Sequence, residues 1–165
     1  MIDREPNLRR IGLVLALGTV AIAIFVTQWP FEYRLTSYAV KLRWTRIDWR
    51  WFAHDGAGNI RFDRDFALNL LMLVPLGVGF ALWRRAASMR VTLEALAIGT
   101  LTSATVELAQ LVTRYRYTSF QDLWRNALGC MVGAMLTGWL VRWARSRADR
   151  DRPDSSPSSR DRARP

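Results

Sequence analysis

The sequence predicts an all-α, polytopic membrane protein: a bundle of four transmembrane helices with a long extracytoplasmic loop between helices 1 and 2. Half of the 165 residues are hydrophobic, and they are concentrated in four blocks. A soluble protein would instead interleave apolar and charged residues at a helix or strand period. Each block is long enough to cross about 30 Å of hydrocarbon as a helix. Arginines flank the blocks, as charges beside membrane spans do.

The predicted spans cover residues 11–29, 66–83, 91–112 and 123–143, which together make up a membrane domain at 11–143. The first follows a charged N-terminus at 1–10 and lacks a small-residue cleavage site, so we interpret it as a retained helix. The second contains Pro75, which leaves a backbone carbonyl without its helical partner and predicts a kink. Residues 144–165 are rich in Arg, Asp, Ser and Pro and predict a disordered cytoplasmic tail.

The long connection at 31–65 contains two segments with local patterns. RLTSYAVKLRW is typical of an amphipathic helix lying on the membrane, and the aromatic and charged residues around HDGAGN predict a β-hairpin. The N-terminus, the 84–90 connection and the tail are densely basic close to the span ends. The positive-inside rule therefore predicts a cell-membrane protein with both termini in the cytoplasm.

Composition argues against several other classes of protein. The net charge is +10, but the arginines flank the apolar blocks instead of forming one basic face, so no nucleic-acid partner is expected. The chain has one cysteine, Cys130, and one histidine, His54, which excludes an internal disulfide and a Cys/His zinc cluster. We predict no metal site and no cofactor.

Polar side chains inside the spans are the strongest functional signal. A charge at membrane depth costs about 2.5–3.5 kcal/mol on insertion scales, so a carboxylate there needs a compensating partner. The predicted topology brings the polar residues of three spans to one level on the extracytoplasmic side. Arg114 follows Glu107 by seven residues, which would put both on one helix face. The predicted pocket residues are Asn69, Glu107, Gln110, Asp122 and Asn126, with Arg114 and Arg116 at the rim.

Helical spacing predicts that the fourth span points its polar face into the bundle. Asp122, Asn126, Gly129 and Gly133 are spaced by 4, 3 and 4 residues and so share a face. The two glycines form a small-xxx-small pattern that lets a neighbouring helix approach closely. The predicted helix-packing residues are Pro75, Gly77, Gly129 and Gly133.

Each of these polar residues, taken singly, could also be explained by a purely structural role. Buried amides and carboxylates hydrogen-bond across membrane helices as packing contacts, and Asp122 could cap the fourth span. Among these residues, Glu107 is the strongest candidate for a functional role, because an ionisable side chain within a span indicates function by default. Arg114, Arg116 or Arg125 could be its partner.

The ordered motifs resemble those of the VanZ-like membrane proteins. They are NLLMLVPLG at 69–77, ELAQ at 107–110 and DLWRNALGCMVG at 122–133. The resemblance covers roughly residues 65–140 and the preceding span; Leu73 and Val74 stand where the family usually has an aromatic residue. The family is named for a protein linked to low-level teicoplanin resistance, and nothing in these residues indicates that phenotype.

Three functions remain open from the sequence. The first is binding of membrane lipids or cell-envelope precursors in the polar pocket, because rim arginines suit anionic headgroups. The second is an intramembrane enzyme with Glu107 and Asp122 as an acid–base or ion-binding pair, although no nucleophile–histidine arrangement lies in the spans and no catalytic residue is assigned. The third is transport, which would require a homo-oligomer, because four short spans are few for a carrier.

Overall fold

The predicted all-helical fold with four membrane spans is confirmed. A computed structural model describes residues 4–52, 54, 57–60, 62, 64–86, 88–114, 116 and 118–150. These residues form helices and turns, with isolated bridges but no strand. The helices are α1 (Arg4–Gln28), α2 (Ser37–Trp44), α3 (Arg64–Met72), α4 (Val74–Arg84), α5 (Met89–Gln110) and α6 (Phe120–Arg150). The stretches long and apolar enough to cross a membrane are Asn7–Gln28, Arg64–Arg84, Met89–Gln110 and Phe120–Ala148.

The second span consists of two helices that meet at Leu73. α3 ends at Met72 and α4 begins at Val74, with Leu73 between them at φ −101° and ψ 4°. Pro75 lies in the first turn of α4, where the N–H that proline lacks has no helical acceptor. The kink predicted at Pro75 is therefore a break just before it.

The two halves of this span share α6 as a neighbour but differ in their contact with α1. α4 packs mainly against α1 and α6, whereas α3 packs mainly against α6. α5 packs against α6 along most of its length. Large apolar side chains such as Val14 and Leu17 of α1 point outward, as expected for a surface that faces lipid chains.

α6 crosses the second span with the two backbones in contact. A Cβ atom added at Gly129 would lie 1.8 Å from the carbonyl oxygen of Leu70, and one at Gly133 would lie 2.1 Å from that of Val74. Only glycine fits at such distances. The two glycines of the small-xxx-small pattern thus face α3 and α4, and Gly77 of α4 lies against the backbone of Cys130 in α6.

A second close approach joins α1 to α4. A Cβ atom at Gly12 would lie 2.6 Å from the carbonyl oxygen of Gly79, and one at Gly79 would lie 2.6 Å from that of Gly12. The pairing was not predicted from the sequence, because the two glycines lie in different spans.

The connection between α1 and α3 contains a short helix, α2, within the segment for which an amphipathic helix was predicted. The side chain of Thr36 caps this helix by accepting a hydrogen bond from the Ala39 N–H. Where the hairpin was predicted, one antiparallel bridge pairs His54 with Ile60, and residues 53, 55, 56, 61 and 63 lie outside the described residues. Two further bridges, from Tyr33 and Asp48, join this connection to the one between α5 and α6.

α6 extends past the predicted end of the fourth span. It continues beyond Trp143 to Arg150, so the tail boundary predicted at residue 144 is corrected. Alanine and arginine are good helix formers, and Arg147 and Arg150 in the last turn are favoured by the helix dipole. The guanidinium of Arg147 also lies 4.0 Å from the centre of the Trp143 ring. Residues 151–165 of the predicted tail lie outside the described residues.

Gly129→Ala is expected to destabilise the bundle, because the added methyl group would overlap the Leu70 carbonyl oxygen and force α3 away from α6. Overpacking of this kind costs about 1–3 kcal/mol. The midpoint of thermal unfolding, followed by circular dichroism in detergent, should fall by roughly 2–8 °C.

Gly18→Ala is the matched control. An added Cβ atom there has nothing within 4 Å, and alanine favours a helix over glycine by about 1 kcal/mol. Its unfolding midpoint should be unchanged or higher. Equal midpoints for the two variants would contradict the proposed backbone contact.

Candidate functional site

The five polar residues singled out from the sequence lie together at one end of the bundle. We call this the loop end, because the connections at 29–63 and 111–119 meet there. The five side chains surround a cavity of about 270 Å³, which we call the inner chamber. Its lining residues are Thr27, Asn69, Met72, Val106, Glu107, Gln110, Arg116, Asp122 and Asn126.

A larger cavity of about 740 Å³, which we call the vestibule, adjoins the inner chamber. The two cavities share five lining residues and are therefore direct neighbours. The vestibule adds apolar side chains of α1 and α3 and a set of charged and polar side chains. The latter are Asp48, Arg50, Asp65, Ser119, Gln121 and Arg125.

Asp122 joins α6 to α3. Its Oδ1 accepts a short hydrogen bond from Nδ2 of Asn69. The same oxygen lies 3.7 Å from Nη1 of Arg125, which is one turn further along α6. Asp122 lies in the first turn of α6, where the helix dipole favours a carboxylate, but its side chain bonds Asn69 instead of capping the helix.

Glu107 joins α5 to the start of α6. Its Oε2 accepts a hydrogen bond from the Ser119 N–H at 2.9 Å. The backbone carbonyl of the same residue accepts one from the Thr118 hydroxyl at 3.0 Å. The partner of this buried carboxylate is therefore a backbone amide and not one of the arginines considered from the sequence.

Asn126 lies deepest among the polar residues of the inner chamber and is 1% exposed. Its Nδ2 donates to Oγ of Ser103 at 3.1 Å. Its Oδ1 has no hydrogen-bond partner among the described residues. A buried acceptor without a partner costs about 1–3 kcal/mol, so this oxygen marks a position where a donor would be stabilising.

The two arginines assigned to the rim have different surroundings. Arg116 lines both cavities and donates from Nη2 to the Val26 carbonyl at 3.0 Å. Arg114 lines neither cavity, and its Nη1 bonds Oε2 of Glu32 at 3.0 Å. Because α5 ends at Gln110, the seven-residue spacing from Glu107 does not put Arg114 on the same helix face.

Arg125 is the main vestibule residue that the sequence prediction left out of the pocket. It is 4% exposed, donates to Oε1 of Gln121 at 2.7 Å, and lies 4.8 Å from the centre of the Phe66 ring. Its Nε–H has no partner among the described residues. The sequence spacing could have identified Arg125 as a site residue. It is three residues after Asp122 and four after Gln121, which places all three on one side of α6.

Asp48 fixes the α1–α3 connection to the start of α6. Its carboxylate accepts hydrogen bonds from Nε and Nη2 of Arg50 at 2.9 and 2.8 Å. Its backbone N–H donates to the Thr118 carbonyl at 3.3 Å, and its carbonyl accepts from the Phe120 N–H at 2.9 Å. The hydrogen bonds from Arg50 hold the pKa of Asp48 below its usual range, so the ionised form favours the folded loop.

We expect the hydrogen bonds to the Asp48 carboxylate to be lost only at low pH. Because the pKa of Asp48 is lower in the folded than in the unfolded protein, its contribution is complete above the ordinary value of about 3.9 and is lost as the pH falls through the lower, folded value. Amide hydrogen exchange of residues 45–50, corrected for the intrinsic rate, should therefore stay constant from pH 7 to roughly 5 and rise below about 3.9.

Asp48→Asn provides the control for this pH profile. The variant lacks the carboxylate, so the same residues should exchange faster than in the wild type at pH 7 and show no acidic step. A step that persists in Asp48→Asn would assign the transition to another group.

Within the described residues, no group of three or more His, Cys, Asp or Glu side chains is placed to hold a metal ion.

Comparison with known proteins identifies a family. No curated protein and no solved structure matches the chain. A family model described as VanZ/LLP1 matches residues 12–141, a range that begins in α1 and ends in α6. The chain therefore belongs to the VanZ/LLP1 family.

Proposed function

We propose that the protein binds a membrane lipid, or a lipid-linked precursor of the cell envelope, with the polar headgroup in the two joined cavities. The observation that carries this proposal is the mixed wall of the vestibule. One part is charged and polar, and the other consists of apolar side chains exposed on the surface of the spans. A ligand that matches both parts is amphiphilic.

The apolar part of the wall lies between α1 and α3. Val26 of α1 is 51% exposed, and Leu68 and Leu71 of α3 are 51% and 60% exposed. α1 packs mainly against α4, and α3 packs mainly against α6. The space between α1 and α3 is therefore not closed by contacts between these two helices. An acyl chain can lie against these side chains while its headgroup reaches the vestibule without leaving the bilayer.

The polar part of the wall suits a phosphate. Arg116 and Arg125 both line the vestibule, and the Nε–H of Arg125 has no partner among the described residues. A guanidinium presents several donors in one plane and binds phosphate oxygens in pairs. Hydrogen bonds to charged groups contribute about 1.5–3 kcal/mol, which is enough to select phosphorylated amphiphiles.

We also infer that the loop end faces the outside of the cell. The opposite end carries the arginines that flank the spans, including Arg84 and Arg90, which both pair with Glu94 at 3.0 Å. The positive-inside rule puts this basic end, and with it both termini, in the cytoplasm. The inner chamber and the vestibule then open in the outer leaflet.

Single-cysteine labelling tests this orientation. In a Cys130→Ala background, Leu35→Cys at the loop end should react with a membrane-impermeant maleimide in intact cells. Ser146→Cys, near the end of α6, should react only after the membrane is permeabilised. The opposite pattern would place the site in the inner leaflet and contradict the inferred orientation.

An enzyme that uses Glu107 and Asp122 is the second candidate. Both carboxylates line the inner chamber, which favours an acid–base or ion-binding pair. Each also holds two helices together, through Ser119 in one case and Asn69 in the other. We rank this candidate below binding because these bonds account for both carboxylates without a reaction.

Mass spectrometry of co-purified lipids tests the binding proposal. Arg116→Gln removes the positive charge that both cavities share, so the amount of phosphate-containing lipid retained per protein should fall about 10- to 100-fold. Arg114→Gln is the matched control, because it removes an arginine of the same connection that lines neither cavity. Equal retention by the wild type and both variants would contradict headgroup binding at this site.

A further inference from the structure

We propose that the headgroup bound here is a primary amine joined to a phosphate, as in phosphoethanolamine, with the ammonium in the inner chamber and the phosphate in the vestibule. This inference rests on the proposed lipid-binding function and adds the chemical class of the headgroup. It is carried by two buried polar atoms of opposite type, the Oδ1 of Asn126 and the Nε–H of Arg125. Neither has a partner among the described residues.

One buried acceptor of the inner chamber, Oδ1 of Asn126, has no donor among the described residues. Oγ of Ser103 donates to the Asp122 carbonyl at 3.5 Å, which leaves Oγ as the acceptor for Nδ2 of Asn126 at 3.1 Å. With the Asn126 amide in this orientation, the atom that lacks a partner among the described residues is its acceptor oxygen. A ligand that satisfies this oxygen must bring an N–H or O–H group.

The two carboxylates of the inner chamber supply further acceptors. Glu107 uses Oε2 for the Ser119 N–H, and Asp122 uses Oδ1 for Asn69 and Arg125. Oε1 of Glu107 and Oδ2 of Asp122 accept no hydrogen bond from the described residues, so they are the oxygens left for a ligand. With Oδ1 of Asn126 they make three acceptors, the number of N–H donors on a primary ammonium.

A quaternary ammonium fits the inner chamber poorly. It carries no N–H donor and is usually held over the faces of aromatic rings. The residues that line the inner chamber include no Phe, Tyr or Trp within the described part of the chain. The chamber therefore distinguishes ethanolamine from choline by hydrogen bonding and not by charge.

The balance of charge favours a zwitterion over an anionic headgroup. The joined cavities are lined by three arginines and four carboxylates: Arg50, Arg116, Arg125, Asp48, Asp65, Glu107 and Asp122. Arg50 already neutralises Asp48. The cations all line the vestibule, with Arg116 at the junction, whereas Glu107 lies only in the inner chamber. A headgroup with its ammonium inward and its phosphate outward matches this arrangement.

A methylation series tests the amine assignment. The purified full-length chain in detergent is titrated with phosphatidylethanolamine, its N-methyl and N,N-dimethyl derivatives, phosphatidylcholine and phosphatidylglycerol, all with the same acyl chains. Dissociation constants are measured by native mass spectrometry. Affinity should fall with each methyl group, and ethanolamine should bind at least about tenfold more tightly than choline or glycerol.

Two variants separate this inference from the function on which it rests. Glu107→Gln keeps an acceptor for the Ser119 N–H but replaces the other carboxylate oxygen by an N–H donor, so the chamber loses one of its three acceptors and ethanolamine binding should weaken more than choline binding. Arg116→Gln should weaken both lipids alike, because both carry the phosphate. Glu94→Gln, on the same helix but at the basic end, should change neither dissociation constant.

The outcomes that overturn the inference are distinct. Equal affinities across the methylation series, still lowered by Arg116→Gln, would reject the amine while leaving headgroup binding intact, with a buried water as the remaining partner of Asn126. No measurable binding of any lipid would reject the proposed function itself. Free O-phosphoethanolamine should bind more weakly than the lipid, because nothing then fills the gap between α1 and α3; equal affinity would reject a lipid as the source of the headgroup.

Discussion

The contact between α6 and the second span, made through Gly129 and Gly133, is the constraint on which the loop end depends. With side chains at these positions, the two backbones could not approach closely enough for Asp122 to reach Asn69. The packing residues and the polar residues lie on one face of α6, so the same approach that excludes lipid from the bundle also brings the polar side chains together. The close packing of the helices and the clustering of polar side chains at this site therefore both result from the approach of α6 to the second span.

The break at Leu73 gives the site its opening. A continuous second span would follow one direction along its whole length, and its two halves would share their neighbours. Because the helix restarts at Val74, α4 packs against both α1 and α6, whereas α3 packs mainly against α6. The vestibule lies between α1 and α3, and its apolar wall comes from side chains of these two helices that remain exposed.

Local periodicity accounts for the part of this structure that the sequence predicted. Hydrophobic blocks, the proline and the i+3 and i+4 spacings determined the spans, the break and the polar faces of α5 and α6. The rim was harder to predict because it depends on the path of the chain after Gln110. There the bond between Glu107 and Ser119 turns the chain back, so Arg116 lines the cavities and Arg114 pairs with Glu32. Arg125 was considered as a partner of Glu107 but left out of the predicted pocket, because the position of a buried arginine depends on its partners from other helices.

The length of α6 has a consequence for where the inner chamber lies in the bilayer. At 1.5 Å per residue its 31 residues span roughly 46 Å, more than the hydrocarbon core of about 30 Å. Asn126 and Arg142 lie on this one rigid helix, about 24 Å apart along its axis. In a bilayer, attraction of Arg142, Arg145 and Arg147 to lipid phosphates at one surface would therefore set the depth of the inner chamber.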